Sequence, residues 1–440
     1  MKFPSSEQVR LLPYAIRWLA LAGLVGVLAG SASALFLVAL DAATDYREQH
    51  RWLVWLLPVA GFVVAWVYLK VGKSVETGNN LLIDEIHDPK KVVPLRMAPL
   101  ILVSTVVSHL FGASVGREGT AVQMGGALAD QLTGLLRLSK EDRRILLMAG
   151  IAAGFASVFG TPLAGAVFAL EVLAIGRLRY DALLACTVAA IIGDQTTTLW
   201  GVHHTHYAVS SIPDITAWGL TATLIAGAVF GVVGMLFANG AHWFGDFMKK
   251  MVPYAPLRPV VGGLAIACAF WFLGAWRYAG LGIPVIVQAF EQPLSPMDFV
   301  GKMVFTIASL GSGFKGGEVT PLFYIGATLG NALSPLLNMP FPLLAAIGFV
   351  GVFAGAANTP LACTLMAMEL FGPGIGVYAL LACVTSYLFS GHTGIYKSQR
   401  IGRGKHLDVP EGIKIGQVRD YKRQQLEFSA SAAAKPTRQK

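Results

Sequence analysis

The chain has 440 residues, of which 55% are hydrophobic and 13% charged, and its mean hydropathy is +0.60. These values exclude an ordinary soluble domain and indicate an integral membrane protein. The formal net charge is +9, and the four cysteines lie apart in apolar runs, so they predict neither disulfides nor a metal site.

The first apolar segments, residues 18–40 and 52–69, predict membrane-spanning helices. Neither contains a charged residue, and each approaches the roughly 20 residues that a spanning helix needs. The first segment is too long and begins too late for a cleaved signal peptide. Residues 1–11, with Lys2 and Arg10, form a short N-terminal segment that we expect on the cytoplasmic side.

A polar stretch follows the second apolar segment. Residues 76–80 have the sequence Glu-Thr-Gly-Asn-Asn, and the acidic group Asp-Glu-Ile-His-Asp follows at residues 84–88. We interpret residues 84–88 as a solvated helix end on the cytoplasmic side. The alternative is that this group assists proton uptake.

The pentapeptide Gly-Arg-Glu-Gly-Thr at residues 116–120 separates the apolar run 97–115 from a second helical segment, 121–136. Its glycines allow a tight turn, and the free N–H groups at a helix start bind anions. A carboxylate at Glu118 would compete with an anion for these amides. It could also carry a proton, because a charged acid is costly inside a membrane. The alternative is a tight loop with a solvated Arg-Glu pair.

The loop at residues 203–206, His-His-Thr-His, is predicted to be an aqueous connection between two spans, with a metal site as the alternative. The segment Gly-Ser-Gly at residues 311–313 is similar to a nucleophile turn. An intramembrane hydrolase using Ser312 is therefore an alternative function, although no His or Asp partner is identifiable from the sequence.

The apolar region from residue 319 to residue 368 contains no charged residue but is interrupted by prolines. They are Pro321, Pro335, Pro340, Pro342 and Pro360. Short, broken apolar segments of this kind predict half-helices that meet at a central site.

An internal repeat relates the two halves of the chain. The pattern Gly-x-Glu-x-Thr at 116–120 recurs 200 residues later at 316–320, and Thr-Pro-Leu-Ala at 161–164 recurs 198 residues later at 359–362. Glu171 and Gly126 recur likewise, as Glu369 and Gly326. Two motifs kept in register indicate a duplication, and transporters of this class suggest that the second copy is inverted.

The C-terminal segment is basic. From residue 397 to residue 440 there are eleven Lys or Arg against four Asp or Glu, which is +7 of the net +9. The positive-inside rule places this segment in the cytoplasm, and nucleic-acid binding is the weaker interpretation. The composition of residues 429–440 is typical of disorder.

Three separated motifs resemble the signature segments of the CLC chloride channels and anion/proton antiporters: Gly-Arg-Glu-Gly at 116–119, Gly-Thr-Pro-Leu-Ala-Gly at 160–165 and Gly-Glu-Val-Thr-Pro at 317–321. The resemblance implies an all-α membrane protein, an inverted repeat with broken half-helices around a central anion site, assembled as a homodimer. The membrane domain would cover residues 12–396, with repeats at about 12–200 and 214–396, and a basic cytoplasmic tail, 397–440, would follow.

The resemblance also implies roles for individual residues. Glu118 would be the external gating and proton-transfer glutamate, and Tyr396 the pore tyrosine that touches the central anion. The anion-binding segments would include Gly116, Arg117 and Gly119 in the first repeat. Val319 and Thr320 would contribute from the second. For Arg117 we expect mainly a structural pairing with loop carbonyls or an acid.

Four departures from the common family pattern are informative. Asn79 stands where chloride-type members have a serine, and Val172 where many antiporters have an internal proton-transfer glutamate. Thr120 replaces a usual proline, and Glu318 replaces a usual apolar residue. Together these changes resemble the fluoride/proton antiporter branch, which exports fluoride from bacteria.

The chemistry agrees with this assignment. Fluoride is small and strongly hydrated, so a site must supply close hydrogen-bond donors in place of water. The Asn79 amide offers two donors, and the Thr320 and Tyr396 hydroxyls offer one each. Without the internal glutamate, Glu318 becomes the candidate second proton carrier.

We therefore predict a fluoride/proton antiporter of the bacterial inner membrane, a transporter rather than an enzyme, with no cofactor and no metal. A chloride/proton antiporter and a passive anion channel of the same fold are the alternatives.

Overall fold

The structure is a computed structural model that describes residues 7–205, 207–406 and 409–433, and it is almost entirely helical. The α-helices are α1 Glu7–Gln49, α2 Leu57–Val67, α3 Asn79–His87, α4 Met97–Leu110, α5 Glu118–Leu135, α6 Lys140–Phe159, α7 Pro162–Glu171, α8 Leu183–Leu199, α9 Ala217–Met251, α10 Arg258–Phe272, α11 Ile283–Glu291, α12 Asp298–Ser312, α13 Val319–Leu337, α14 Phe341–Ala357, α15 Pro360–Phe371, α16 Gly376–Phe389 and α17 Ile415–Ala433. Two short strands, β1 Ala174–Ile175 and β2 Arg400–Ile401, pair in parallel.

Within the described ranges, five helical segments are long and apolar enough to cross a membrane. The second of them, Arg51–His87, is not one regular helix, because a π-helical turn at Tyr68–Gly72, a 3₁₀ turn at Lys73–Val75 and a non-helical turn at residues 76–78 lie between α2 and α3. Several other apolar helices are too short to span a bilayer alone, among them α4, α7, α14 and α15. This mixture of long and short helices is the pattern predicted from the proline-interrupted apolar segments.

The predicted breaks occur, although not every proline makes one. Pro340 is the N-cap of α14 and Pro360 is the first residue of α15, where a missing N–H costs nothing. Pro321 lies in the first turn of α13, which is tolerated for the same reason. Pro335 lies inside α13, in its last turn, and therefore does not divide the helix.

The two repeats are inverted, as the contacts between α7 and α15 demonstrate. Glu171 ends α7 and accepts from Leu361 N–H at 3.1 Å and Ala362 N–H at 2.9 Å, at the start of α15. In return, Glu369 near the end of α15 accepts from the N–H groups of residues 163 and 164, which begin α7, at 2.8 and 2.9 Å. Each helix therefore starts beside the other's end, so the two are antiparallel. We call this pair of contacts the crossed caps.

The register of the repeat differs by one residue from the sequence match at its first motif. Gly116 pairs reciprocally with Gly317, not with Gly316, through N–H···O bonds of 2.6 and 2.7 Å. A Cβ atom on Gly125 would lie 2.3 Å from Gly150 O, and one on Gly326 would lie 2.0 Å from Gly348 O, so Gly125 rather than Gly126 corresponds to Gly326. Arg117, rather than Glu118, is thus the positional counterpart of Glu318. The sequence alignment was wrong because Gly316 and Gly317 fit the repeat pattern equally well, as do Gly125 and Gly126.

The hydrophobic core lies where the repeats meet. Phe155 stacks on Phe168 with ring centroids 4.3 Å apart, and Phe323 stacks on Phe349 at 3.9 Å. Phe353 bridges the two pairs, 6.4 Å from Phe155 and 5.5 Å from Phe323. Burial of these large rings fixes the half-helices on which the site depends.

The C-terminal segment packs against the membrane domain instead of forming a separate tail from residue 397. Gln399 is fully buried and donates to Val172 O at 2.9 Å, and β2 pairs with β1. Ile401 and Ile415 are buried in a small cluster with Ile175. Helix α17 spans Ile415–Ala433, and the remainder of the segment for which disorder was predicted, residues 434–440, lies outside the described residues.

The acidic group at residues 84–88 forms ion pairs at a helix end where the Asp84 and Asp88 side chains stay 40% and 58% exposed. Asp84 contacts Lys414 Nζ at 2.5 Å, and Glu85 contacts Arg143 Nη1 at 3.0 Å. Asp88 pairs with Arg400, and that hydrogen bond lowers the pKa of Asp88 from its ordinary value. These ion pairs hold the C-terminal segment on the end of α3.

Candidate anion site

Three helix N-termini converge near the centre of the molecule. Helix α3 starts at Asn79, α5 starts at Glu118 and α13 starts at Val319. Gly78 precedes α3 with φ 58°, a conformation that a glycine adopts without strain. The first N–H groups of each helix lack an internal partner and carry partial positive charge, so the three ends favour an anion between them.

The reciprocal bridge between Gly116 and Gly317 holds two of these ends together. A Cβ atom on Gly119 would lie 3.2 Å from Gly317 Cα and 3.1 Å from Asn79 Nδ2. A side chain at Gly119 would therefore push apart the starts of α3, α5 and α13. This close approach explains the glycines of both motifs.

The Glu118 carboxylate occupies the donors at the start of α13. It is fully buried, and its Oε2 accepts from Thr320 N–H at 3.0 Å and from Arg117 N–H at 3.2 Å. The Thr320 hydroxyl donates to the other oxygen, Oε1. The carboxylate thus takes hydrogen bonds that a bound anion would otherwise receive.

Arg117 and Thr120 support this arrangement. The Arg117 Nε atom lies 3.6 Å from Glu118 Oε1, so Arg117 pairs with an acid, as expected, but the acid is the neighbouring Glu118. The Thr120 hydroxyl is hydrogen bonded to Thr105 Oγ1 at 2.7 Å, a partner that the sequence pattern did not indicate. Both contacts fix the first turn of α5.

Two cavities lie near the three helix starts. The outer cavity, about 20 Å³ and hence the size of one water, is lined by Glu118, Arg117, His204 and Thr320. The inner cavity, about 190 Å³, is lined by Asn79, Glu318, Tyr396 and other mostly polar residues.

The cavities are directed toward opposite faces of the protein. Helix α6 begins near Arg143, which contacts Glu85 beside the C-terminal segment. It ends at Gly160, where a Cβ atom would lie 2.5 Å from His204 Cδ2. The His204 loop therefore lies on the face opposite the C-terminal segment. The inner cavity lies toward the C-terminal segment, because Asn80 Oδ1, next to Asn79, accepts from Ser398 N–H at 2.9 Å.

Of the predicted anion ligands, Asn79 and Tyr396 line the inner cavity, whereas Arg117 and Thr320 line the outer one. Asn79 is the first residue of α3, and its Oδ1 atom is buried without a hydrogen-bond partner in the described part of the chain. Tyr396 is buried, with 5% of its surface exposed, and lines the same cavity. Glu318 is the N-cap of α13 and faces this cavity as well. Val319 is buried behind it.

Sequence reasoning missed several residues of the inner cavity, notably Lys315, Tyr68 and Gln123. The Lys315 ammonium lies 4.2 Å from the Tyr68 ring centroid, a cation–π contact. Lys315 could have been identified from the sequence, because a lone Lys shortly after the mostly apolar helix α12 marks an ion pathway or a structural ion pair. Gln123 could not have been identified in this way, because a single polar residue in a helix is equally compatible with an exposed position.

The histidine loop borders the outer cavity and is not a purely aqueous connection. His204 Nε2 lies 3.5 Å from Asp194 Oδ1, while His203 is exposed. His206 lies outside the described residues. Among the described residues, no group of three His, Cys, Asp or Glu side chains could hold a metal ion.

Comparison with known proteins decides the family. The family profile described as "Voltage gated chloride channel" matches residues 60–391. The chain belongs to this CLC family. It is 64% identical over 427 residues to a "Chloride/fluoride channel protein" of Pseudomonas syringae pv. tomato, covering 96% of this chain and 94% of the relative. An "H(+)/Cl(-) exchange transporter ClcA" of Vibrio cholerae is 27% identical over 390 residues, 81% of this chain and 82% of the relative.

Solved CLC structures have the same fold. A crystal structure of a CLC-type fluoride/proton antiporter superposes with a TM-score of 0.85 at 36% identity, covering 88% of this chain and 98% of that one. A slow cyanobacterial Cl⁻/H⁺ antiporter superposes with a TM-score of 0.76 at 20% identity, covering 85% and 94%, which shows the shared fold alone. The predicted all-α CLC fold is confirmed.

Two further positions of this CLC chain complete the site's surroundings. Val172 is buried with 2% of its surface exposed, and its carbonyl accepts from Gln399 Nε2 at 2.9 Å. Ser312 is fully buried at the end of α12 against Gly262, where a Cβ atom would lie 1.9 Å from Ser312 Oγ. The Ser312 hydroxyl has no hydrogen-bond partner in the described part of the chain, so nothing activates it as a nucleophile.

Proposed function

We propose that this CLC chain is a secondary-active fluoride/proton antiporter that exports fluoride from the bacterial cytoplasm. The observation that carries the proposal is the Glu118 carboxylate, which is bound by the N–H and hydroxyl of Thr320 at the start of α13. An ionisable group in the place of an anion gives a direct means of exchanging one for the other. The fluoride/proton antiporter of similar structure supports the choice of ions.

Exchange follows from competition for the same donors. When Glu118 is charged it holds the Thr320 N–H and hydroxyl, and it closes the path between the outer and inner cavities. When Glu118 takes up a proton, its hydrogen bonds lose charge assistance and weaken, so an anion from the inner cavity replaces it. The proton and the anion therefore move in opposite directions in one cycle.

Glu318 is the proposed second proton carrier. It lines the inner cavity, where water from the C-terminal face has access, and Thr320 lies two residues beyond it. Val172 supplies no titratable group on the inner side. A proton delivered by Glu118 would pass to Glu318 and then to water in the inner cavity.

Asn79 is the proposed selectivity residue. Its amide lies at the start of α3 beside Gly119, and Tyr396 lines the opposite wall of the same cavity. Two amide hydrogens and a phenol hydroxyl can replace several waters around a small anion. A serine would offer a single hydroxyl, which suits the larger and more weakly hydrated chloride.

The assembly and orientation are parts of the same proposal. The chain would form a homodimer in the inner membrane, with one anion path in each subunit and both termini in the cytoplasm. The excess of Lys and Arg after residue 396 supports this orientation. The C-terminal face is then cytoplasmic, and the outer cavity near His204 faces the periplasm.

Fluoride and proton flux measured together in proteoliposomes test the proposal. Vesicles loaded with fluoride or with chloride are diluted into buffer without either ion, and an ion-selective electrode and a pH dye follow the two fluxes. We expect fluoride efflux to drive proton uptake into the vesicles, even against a proton gradient, and chloride efflux to be at least about tenfold slower.

Two results would contradict the proposal. Equal rates and equal coupling for the two anions would assign the chain to chloride/proton exchange. Anion efflux with no proton movement under any gradient would assign it to passive conduction.

A further inference from the structure

The largest cavity on the C-terminal face is separate from the anion path. Its volume is about 830 Å³, and it lies between the end of α9, the loop after α16 and the start of α17. The buried cluster around Ile415 and Val418 holds α17 in place as one wall. The site described above makes no use of this cavity.

The walls of this cavity are strongly basic. Lys250 contributes from α9, Lys397 from the loop, and Arg419 and Lys422 from α17. Within the described part of the chain, none of these four side chains forms an ion pair with an acid. The acid of the lining, Asp246, is paired with Lys249 at 3.0 Å. Asp246, which also attracts Lys397, does not balance four cations on one concave surface, so an anion between them stabilises the arrangement.

A buried histidine on the same wall lacks a partner for one of its nitrogens. His392 is 6% exposed, and its Nε2 accepts from the backbone N–H of Lys405 at 3.0 Å. The neutral ring therefore carries its hydrogen on Nδ1, which has no hydrogen-bond partner in the described residues. Burial, together with the charges of Lys405, His406 and Lys422, lowers the pKa of His392 to about 4 and keeps the ring neutral. The buried Nδ1–H of His392 is therefore a donor that lacks an acceptor, and a ligand in the cavity could supply one.

Aromatic side chains place this cavity at the membrane boundary. Trp243 on α9 lines the cavity and is 65% exposed, and it stacks on Phe247 with ring centroids 5.6 Å apart. Exposed Trp near the end of a spanning helix is typical of the headgroup layer. The cavity mouth therefore opens beside lipid as well as toward water.

We propose that this cavity binds the phosphate-bearing headgroup of an anionic membrane lipid. The phosphate would lie between the cations of α9 and α17, and the acyl chains would run along the apolar surface below Trp243. Basic pockets at the ends of membrane helices bind lipid headgroups in this way. A soluble phosphate ion has the same chemistry, but the exposed aromatic pair at the mouth favours the lipid.

The test measures lipid binding to the purified full-length protein by native mass spectrometry. The probes are phosphatidylglycerol, phosphatidylcholine and inorganic phosphate, each titrated separately. The variant Arg419→Gln/Lys422→Gln removes two cations of the cavity. The matched control, Arg137→Gln/Lys140→Gln, removes two exposed cations on the same face, one in the connection after α5 and one at the first residue of α6.

We expect phosphatidylglycerol to bind more tightly than phosphatidylcholine. At about 1 kcal/mol per cation, the cavity variant should bind phosphatidylglycerol roughly 30-fold more weakly. The control variant should match the wild type. Lys250→Gln, which lies on α9, should weaken phosphatidylglycerol binding roughly fivefold. This variant tests the cavity without any change to α17.

Two outcomes would overturn the proposal. An equal loss in the control variant would mean that lipids respond to the overall charge of the face. Saturable binding of inorganic phosphate without preference between the two lipids would assign the cavity to a soluble anion.

Discussion

The Glu118 side chain lines the outer cavity and is fully buried beside the starts of α5 and α13. Its buried carboxylate accepts from Thr320 and from its own turn of backbone. The sequence singled out Glu118 because an acid flanked by glycines at a helix break has few structural uses in a membrane, and its role stays a prediction. What it could not predict was the donor set, since Thr320 lies 202 residues away along the chain.

The first prediction concerns the charge of Glu118. Glu118→Gln keeps the size of the side chain but cannot titrate, so fluoride-driven proton transport should fall below detection while anion efflux continues. Proteoliposome flux with a pH dye measures both. Glu291→Gln, which removes an exposed acid, should transport like the wild type. Wild-type proton pumping in Glu118→Gln would exclude Glu118 as the proton carrier.

The second prediction concerns Asn79. Replacement by serine removes two amide donors beside Gly119 and introduces one hydroxyl. The ratio of fluoride to chloride transport should therefore decrease by roughly tenfold, which corresponds to the free energy of one hydrogen bond to a charged group. Both ions are measured in the same vesicle preparation. Asn80→Ser is the comparison, because Asn80 lines the same cavity but its side-chain oxygen accepts from Ser398 N–H. An unchanged ratio in Asn79→Ser would place selectivity elsewhere.

The third prediction concerns Glu318. Its side chain faces the inner cavity, and a Gln there keeps its shape without a titratable proton. Glu318→Gln should fold, bind fluoride with an affinity within about twofold of the wild type, and lose coupled transport. Fluoride binding is followed by isothermal titration calorimetry and coupling by flux. If the variant pumps protons at the wild-type rate, Glu318 serves only as the cap of α13.

At the scale of helices, the crossed caps join the two repeats more specifically than apolar packing can. Glu171 and Glu369 each accept two N–H groups from the other repeat's helix start. The sequence contained both acids as repeated residues, yet their partners follow only from the inversion. The one-residue error in aligning the repeats arose because either glycine of a Gly-Gly pair can be matched. The sequence therefore does not specify which residue precedes the helix.

The fourth prediction tests the crossed caps. Glu171→Gln and Glu369→Gln each replace charge-assisted bonds by one neutral acceptor, so each should destabilise the protein by about 1–3 kcal/mol. The larger effect should come from Glu171, which is more buried. The apparent Tm of the detergent-purified protein measures the loss. Glu291→Gln is again the neutral comparison, and a Tm equal to wild type for both cap variants would contradict a stabilising role.

At the scale of the whole molecule, the sequence predicted the family fold and the long apolar helices but not how the chain ends. Composition indicated a basic tail after residue 396, whereas the structure packs residues 397–406 and 409–418 on the end of α3 and on β1. Net charge cannot distinguish solvated cations from paired ones. Lys414 and Arg400 contribute to that charge, but each of them is paired with an acid of the group at residues 84–88.

The fifth prediction follows from that packing. A chain ending at Tyr396 loses Ile401, Ile415 and Val418 from their cluster, which should destabilise the protein by on the order of 5 kcal/mol. Thermal aggregation monitored by size-exclusion chromatography measures this loss. The single variant Ile401→Ala should lower stability by about 2–5 kcal/mol. Val377→Ala, at an exposed position, should not, and a truncated chain as stable as the full one would mean that the segment is dispensable.

The crossed caps also constrain the order of events during synthesis. The first half enters the bilayer while the second is still on the ribosome. At that stage Glu171 lacks the N–H donors of α15, and the first N–H groups of α7 lack their acceptor, Glu369. Open backbone groups and a lone carboxylate cannot face lipid. The first half must therefore keep these groups in contact with water until the second half arrives.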